Sequence, residues 1–469
     1  MNSAKPERVT KVRCAPKTAP CPDCGRRAPR QRLCHRRVRS LAYHQVAWLH
    51  VTYAEYRCRC RCRKYFRTWP LDVPPKAHYD AAVRSAVLDR ILRDGLNVER
   101  TLQAMRHDFL LMLSEGFVYD CLRWKVAQLD LAAHRLLVLQ KFSGTLCVDE
   151  LHLGAYTLLL ATDPLADLPV AFALVSANDQ AHMRRFLGNL KNGGLLPRVV
   201  VSDGSGLYPA LLAELWPKAK HQLCVFHVLK DLLEKVLQAV RRLQRGQARR
   251  GRAGGRGRRG RGRRGRGRRR HGPSAKEKAS FVYKHRYLIV KRAEGLGKAG
   301  WADLVQMFEY LPELRTLWQF SQDIYEALRD EQALRVARRR WTVLRRDPEY
   351  RAVAELAEAL GQLEGGKLDK VLAFLSVPAA ERVRTNNHVE RANRRLRFAE
   401  KVRYKWRKRR WVVRYVVLLL DVCWRQAAAQ DQEPDSQRSP PQPDGQPGQE
   451  PKAQTTGSGQ RTGRTAAGD

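Results

Sequence analysis

Three apolar segments in succession constrain the fold of this chain more than any other feature of its 469 residues. Residues 144–150 (GTLCVDE), 155–162 (AYTLLLAT) and 168–175 (LPVAFALV) are separated by polar turn residues, and this pattern predicts an antiparallel meander. The segments that follow are expected to alternate between helix and strand, at 179–190 (helix), 198–202 (strand), 207–215 (helix) and 221–225 (strand). The order of elements therefore predicts a mixed α/β domain.

Acidic residues stand at two predicted strand ends and at the start of a later helix. Asp149 closes the first strand, Asp203 closes the fourth in VVSDGSGLY, and Glu390 lies in TNNHVERANRRLR, in a helix that Thr385 or Asn386 can cap. A single acid at a strand end is usually a surface or capping residue. Carboxylates that converge on one point repel each other unless they share a cation, and paired Mg²⁺ ions held in this way perform phosphoryl chemistry on DNA.

The charge of the chain indicates a polyanionic partner. Lys and Arg number 89 against 46 Asp and Glu, which gives a formal net charge of +43. Such an excess repels itself in a compact state unless a polyanion neutralises it, so nucleic acid is the expected partner. Residues 241–270 contain 16 arginines and no acid, and a disordered Arg/Gly-rich loop is expected at 241–273. This loop either adds sequence-independent attraction to phosphates or is an insertion without a role.

Five cysteines near the N-terminus form a candidate zinc site. The Cys21-Pro-Asp-Cys24 turn aims two sulfurs the same way, and two of Cys58, Cys60 and Cys62 are expected to complete a tetrahedral, structural Zn²⁺ site. Free thiols are the alternative.

Clustered cysteines suit a reducing compartment, and the sequence has neither a secretory signal nor a membrane-spanning run, so a soluble cytoplasmic protein is expected.

Segments around these motifs are assigned by their periodicity. Residues 42–56 alternate and are interpreted as the hairpin of a zinc ribbon. Three amphipathic helices are expected at 81–92, 98–105 and 117–131, which is the rhythm of a helix-turn-helix DNA reader, although a plain helical bundle has the same pattern. Aromatic and leucine residues at helical spacing predict a helical insertion at 281–380.

Together, these motifs resemble those of the DDE transposases of bacterial insertion sequences, including relatives with an N-terminal zinc ribbon and helix-turn-helix. The resemblance covers residues from about 14 to 425 and rests on VDE, VVSDGSGLY, CVFH and TNNHVERANRRLR. It implies a ribonuclease H-like core, whose element order the predicted order matches and in which the first and fourth strands are neighbours. It also implies that Asp149, Asp203 and Glu390 form a triad that binds Mg²⁺ or Mn²⁺.

Other residues near these motifs are candidates for a supporting role. Cys224-Val-Phe-His227 resembles the Cys-x2-His motif that some of these families carry after the second Asp, and the alternative is a buried strand end followed by a helix-start histidine. Glu150 follows Asp149 directly, but adjacent side chains on a strand point to opposite faces, so only one of the two is expected to join Asp203. The candidate supporting residues are Cys224, His227, Asn387 and Arg391.

The implied fold class is α/β, with a ribonuclease H-like catalytic core that carries a helical insertion and follows a zinc ribbon and a helical DNA-binding domain. The expected boundaries are 14–70 (zinc ribbon), 78–140 (helix-turn-helix-like domain), 144–240 (first part of the core), 241–273 (disordered loop), 281–380 (helical insertion), 384–425 (last part of the core) and 427–469 (disordered tail). The implied function is a DNA transposase, acting as a homo-oligomer on double-stranded DNA in the nucleoid, that binds the terminal inverted repeats of its element and performs metal-dependent strand cleavage and transfer. The alternatives are a catalytically silent, transposase-derived DNA-binding protein or repressor, and an RNA-binding protein built around the Arg/Gly-rich loop.

Overall fold

The computed structural model describes residues 7–253, 272–402 and 408–430, which form a mixed α/β structure with two sheets. Most of the predicted Arg/Gly-rich loop (254–271) and most of the predicted tail (431–469) lie outside these ranges. Within the described ranges, no helix combines the length and the apolar content that crossing a bilayer requires.

The first sheet is built on a long antiparallel hairpin. Its strands are β1 (Glu7–Cys14), β2 (Thr18–Pro20), β3 (Arg27–Ser40), β4 (Val46–Arg57) and β5 (Tyr65–Arg67), in the order β1-β4-β3-β2 with β5 beside β4. The prediction that 42–56 contains the whole hairpin was wrong, because this segment supplies only its second strand. The first strand of the hairpin is β3, which is rich in arginine. The guanidinium groups of its Arg37 and Arg39 pack over the ring of Trp48, at 4.4 and 4.8 Å from the ring centroid.

Four helices follow, where three were expected. They are α1 (Ala81–Leu92), α2 (Val98–Phe109), α3 (Glu115–Val126) and α4 (Leu131–Lys141). Each begins after a polar cap whose side chain accepts a hydrogen bond from the backbone N–H three residues on; the caps are Asp80, Asn97, Ser114 and Asp130. The predicted third helix was too long at its C-terminal end because Asp130 starts a new helix.

The second sheet has the strand order β10-β9-β6-β7-β8. Its strands and the helices between them are β6 (Thr145–Leu153), β7 (Tyr156–Asp163), β8 (Leu168–Val175), α5 (Gln180–Asn192), β9 (Val199–Ser202), α6 (Tyr208–Leu215) and β10 (Lys220–Leu223). β6, β7 and β8 pair antiparallel, whereas β9 is parallel to both β6 and β10. The expected meander and the expected adjacency of the first and fourth strands of this sheet are confirmed.

β6 is longer than predicted. It runs past Glu150 to Leu153, where Gly154, with a φ of 61°, enters the tight turn to β7. Its parallel ladder with β9 ends earlier, at the pair Cys147 and Val201. Asp149 therefore lies inside β6 and not at its end. It is, however, beyond the part of β6 that pairs with β9.

A second, all-helical core follows β10. Its helices are α7 (Val225–Ala253), α8 (Ala275–His285), α9 (Lys298–Tyr310), α10 (Leu314–Ala327), α11 (Leu334–Arg346), α12 (Pro348–Arg351), α13 (Ala354–Gly361) and α14 (Lys367–Val371). α7 continues to Ala253, so the predicted loop start at 241 was wrong. Arginine is a good helix former, Leu243 packs on this core, and Arg241 and Arg242 form ion pairs with Glu234 and Glu355.

The last two helices are α15 (Asn387–Val402) and α16 (Arg409–Gln430), and α15 packs against β6 and β7. Because α16 continues to Gln430, the predicted tail start at 427 was also too early. Buried residues of α1–α4, among them Val87, Met105, Cys121 and Val138, belong to the same apolar cluster as the second sheet. The core therefore shows no break at residue 140.

Candidate active site

Three carboxylates converge where the β6–β9 ladder ends. Single carboxylate oxygens of Asp149, Glu150 and Asp203 all lie within 4.8 Å of one another. The pairing register of β6 and β9 explains why Asp149 and Asp203 lie close together. Val201 is opposite Cys147, so two further residues along each strand bring Asp203 beside Asp149. The 54-residue separation of the two acids in sequence is the same as the separation of every residue pair in this parallel ladder.

Glu150 was expected to point away from Asp203, and that expectation was wrong. The rule that adjacent side chains point to opposite faces applies to residues within paired strands. Asp203 instead follows the end of β9, in a turn where its carboxylate accepts a hydrogen bond from the backbone N–H of Ser205. Its position is therefore not limited to one face of the sheet. On its other side, Glu150 interacts with the buried hydroxyl of Tyr208.

Glu390 approaches this cluster from α15 without entering the group of oxygens within 4.8 Å, as far as the described residues show. Its Oε1 atom is buried without a hydrogen-bond partner in the described part of the chain and lies 3.9 Å from Nε2 of His227. Its Oε2 atom lies 3.8 Å from the guanidinium of Arg394. Its negative charge also acts on Asp149.

Burial and the repulsion of neighbouring acids raise the pKa values of Asp149 and Glu150. Burial is the main cause that raises the pKa of Asp149 to about 6, and the charges of Asp203 and Glu390 add to it. Burial likewise raises the pKa of Glu150 to about 7, with further contributions from Asp203 and Asp149. Because the folded chain holds carboxylates together at a cost, a bound divalent cation would relieve the repulsion, and the donor set is the oxygen-only kind that Mg²⁺ and Mn²⁺ prefer.

The Cys-x2-His motif lies beside the acids. Cys224 is buried at the start of α7, and its backbone N–H donates to the carbonyl of Ser202, the residue before Asp203. His227 follows on α7. Its interaction with the Cys224 side chain is the main cause that raises the pKa of His227 to about 9, and the charges of Glu390 and Asp203 contribute. His227 is therefore expected to be a cation facing the carboxylates at neutral pH.

The other two candidate supporting residues lie elsewhere on α15. Asn387 is exposed, and the charge of exposed Arg391 acts on Asp167 in the β7–β8 turn. The sequence interpretation missed Asn393, which is almost fully buried and donates from Nδ2 to Oδ2 of Asp149 at 2.8 Å. Its position three residues after Glu390 could have revealed it, because residues at that spacing share one face of a helix.

The N-terminal cysteines also converge. The sulfurs of Cys21, Cys24, Cys58 and Cys62 all lie within 4.8 Å of one another, enough thiols to close a tetrahedral metal site. Cys60 lies 2.8 Å from the sulfurs of Cys58 and Cys62, but it is outside this mutually close group. Contact with Cys58 is the main cause that lowers the pKa of Cys60 to about 6, and contact with Cys60 raises that of Cys62 to about 11. Cys58 and Cys62 thus join Cys21 and Cys24 in the mutually close group, and Cys60 lies 3.1 Å from the sulfur of Cys24.

The raised pKa values predict how stability depends on pH without divalent cations. Between the ordinary pKa values near 4 and the native values near 6 and 7, the folded chain retains protons on Asp149 and Glu150 that the unfolded chain releases. The free energy of unfolding should therefore fall as the pH rises through this window, by roughly 2–3 kcal/mol for the partly screened pair. The double variant Asp149→Asn/Glu150→Gln should melt at a higher temperature than the unmodified chain at pH 8, and with a smaller difference at pH 5.

Glu214→Gln is a suitable control, because this half-exposed acid lies on α6 in an ion pair with Arg184. It should give the same small change in melting temperature at both pH values. A difference between the double variant and the unmodified chain that does not depend on pH would contradict the assignment of raised pKa values to the two carboxyls.

The acids described above fall within a region that matches a known family. Residues 146–407, more than half of the chain, match the family model described as transposase, of the ISL3 type of DDE transposases. No curated protein matches the chain. The chain therefore belongs to the ISL3-type family of DDE transposases of insertion sequences, and is an enzyme of the polynucleotidyl transferase and endonuclease class.

Proposed function

We propose that this transposase binds the terminal inverted repeats of its element and performs metal-dependent strand cleavage followed by strand transfer. The observation that carries the proposal is the convergence of Asp149, Glu150 and Asp203, with Glu390 at their edge, inside the region that matches the family. A protein that only binds DNA gains nothing from collecting buried carboxylates, which repel both one another and phosphate.

We assign Asp149 and Asp203 as the residues that hold Mg²⁺ or Mn²⁺, with Glu390 as the third member of the triad and Glu150 as an additional ligand. The raised pKa values of Asp149 and Glu150 and the unpartnered Oε1 of Glu390 support the fit of a divalent cation. When bound, the metal would activate the attacking oxygen and stabilise the leaving oxygen of a phosphodiester.

The neighbouring side chains prepare these ligands. Asn393 holds Oδ2 of Asp149 and so fixes the orientation of that carboxylate. Protonated His227 lies on the Glu390 side of the cluster, where it offsets the repulsion between Glu390 and the other acids and offers a positive charge to a DNA phosphate. The carboxylates hold the cation, and His227 and Asn393 keep them in place.

We assign roles to the other domains of the chain from its membership of the transposase family. The second sheet, with three antiparallel strands followed by two parallel ones, is the arrangement of a ribonuclease H-like core, and α7–α14 form its helical insertion. The first sheet with its Cys21, Cys24, Cys58 and Cys62 cluster is a zinc ribbon, and α1–α4 are the helix-turn-helix-like reader of the repeats. The net charge of +43 supports binding to double-stranded DNA of the nucleoid, as a homo-oligomer that bridges two ends.

Cleavage of a supercoiled plasmid that carries the two ends of the element tests this function. The unmodified chain should nick at the repeat ends with Mg²⁺ or Mn²⁺ and not with Ca²⁺ or after chelation. Glu390→Gln should abolish nicking, whereas Glu150→Gln should lower it by about 10-fold, because one extra ligand contributes less than a triad member. Repeat binding without metal-dependent nicking would instead favour a catalytically silent DNA-binding protein.

A further inference from the structure

We propose that Asn386 is a positioning residue that holds β6 and α15, which carry acids of the site, and α7, which carries His227, at their correct separation, an inference that rests on the proposed metal-dependent function. Asn386 is fully buried and directly precedes α15. Among its hydrogen bonds within the described residues, none joins its side chain to a carboxylate of the site. Its role is exerted through the backbone of these elements.

Asn386 contacts all three elements. Its side-chain Nδ2 donates to the carbonyl of Val148, the residue before Asp149, at 2.9 Å. Its backbone N–H donates to the sulfur of Cys224 at 3.3 Å, at the start of the helix that carries His227. Its backbone carbonyl accepts the N–H of Glu390 at 3.1 Å. One residue thus joins β6, α7 and α15.

The contact with β6 occurs where the sheet no longer supplies a partner on that side. The ladder between β6 and β9 ends at Cys147 and Val201, one residue before Val148. Beyond this point, no ladder pair joins β6 to β9, and a side-chain amide from a distant part of the chain contacts the strand. The separation between Asp149 and Glu390 therefore depends on this amide and on the Asn393 contact.

Two ordinary explanations for Asn386 do not fit. Its Oδ1 atom is buried without a hydrogen-bond partner in the described part of the chain, so of the two caps considered from the sequence, Thr385 and Asn386, the side chain of Asn386 does not cap α15. Packing alone does not explain it either. An unpaired buried amide oxygen is destabilising, and leucine would fill a similar volume without leaving such an oxygen. What leucine cannot supply is the donor to Val148.

Mn²⁺ binding to the full-length, zinc-loaded chain without DNA tests the role directly. Electron paramagnetic resonance would measure the affinity for Mn²⁺. The binding that is lost in Asp149→Asn would define the binding that belongs to the acidic site. Asn386→Leu is expected to weaken this Asp149-dependent binding about 10–100-fold, the range found for residues that orient metal ligands, while shifting the melting temperature by only a few degrees. Asn386→Ala should weaken it as much, with a larger loss of stability.

Gln222→Ala is the matched control. Gln222 is also fully buried, and its side chain joins β10 to the helical core by donating to the carbonyl of Val371 at 2.9 Å and accepting the N–H of Phe374 at 2.6 Å. It should lower the melting temperature and leave Mn²⁺ affinity within about 2-fold, because the acids are held by other elements.

The outcomes separate this inference from the proposed function. Unchanged Mn²⁺ affinity in Asn386→Leu, or an equal loss in Gln222→Ala, would overturn the positioning role. Absence of Asp149-dependent Mn²⁺ binding in the unmodified chain would overturn both the metal site and the role of Asn386. If Asn386→Leu loses Mn²⁺ affinity but the unmodified chain cleaves no repeat DNA, the positioning role stands and the proposed cleavage function fails.

Discussion

Replacing Asp149 or Asp203 by alanine should lower the rate of strand cleavage at the repeat ends by about 10⁴-fold or more, which is more than about 5 kcal/mol in activation free energy. Both residues are members of the proposed metal-binding triad, so each removal takes away a principal ligand of the cation, unlike removal of the additional ligand Glu150. Single-turnover cleavage of labelled repeat DNA with saturating Mg²⁺ measures the effect.

Binding of the repeats should change little in these two variants. Both side chains are only partly exposed, and removing negative charge from a surface that faces phosphate cannot weaken the electrostatic attraction. Glu214→Ala, which removes a half-exposed acid on α6 outside the cluster, should cleave at the normal rate. Substantial cleavage by Asp149→Ala or Asp203→Ala would contradict the assignment of that residue.

Replacing Cys58 by serine should release one zinc ion per chain and weaken repeat binding by about 100-fold or more. The apolar cluster around the cysteines is small and contains mainly alanines, with Tyr56 as its only large, fully buried side chain, so we expect this region to depend on a bound metal for its stability. Zinc content measured by atomic absorption and repeat binding measured by gel shift should fall together. The second sheet should retain its fold, because it has its own core.

Cys60→Ser provides the matched control. Cys60 is next to the same sulfurs but lies outside the mutually close group of four, so its replacement should leave both zinc content and repeat binding near normal. Loss of zinc in Cys60→Ser with retention in Cys58→Ser would reverse the assignment of ligands. Loss in both variants would indicate a site that needs all of the clustered thiols.

Much of the fold could be predicted because its signals are local. Polar caps such as Asp80 and Asn97 precede helices whose first residues were expected within a position or two, since a cap acts on the backbone within three residues. The apolar runs of β6–β8 alternate with turns in a way that only a meander satisfies. The extension of α7 into the arginine-rich segment could not be predicted, because the partners of Leu243 and the ion-pair partner of Arg242, Glu355, are far away in sequence.

By itself, the sequence determined the order of strands and helices from β6 to β10 and the Cys21 and Cys24 knuckle, and the implied topology placed Asp149 beside Asp203. The structure agrees, because two parallel strands keep a constant offset along their whole ladder. Only the tertiary structure decided that Glu150 joins the acids, that Cys60 stands outside the group of four sulfurs, and that Asn386 contacts three elements. The physical reason is the range of the interactions. Periodicity and capping act over a few residues, whereas these contacts join parts of the chain that are distant in sequence; those of Asn386 depend on how β6, α7 and α15 pack together across more than 200 residues.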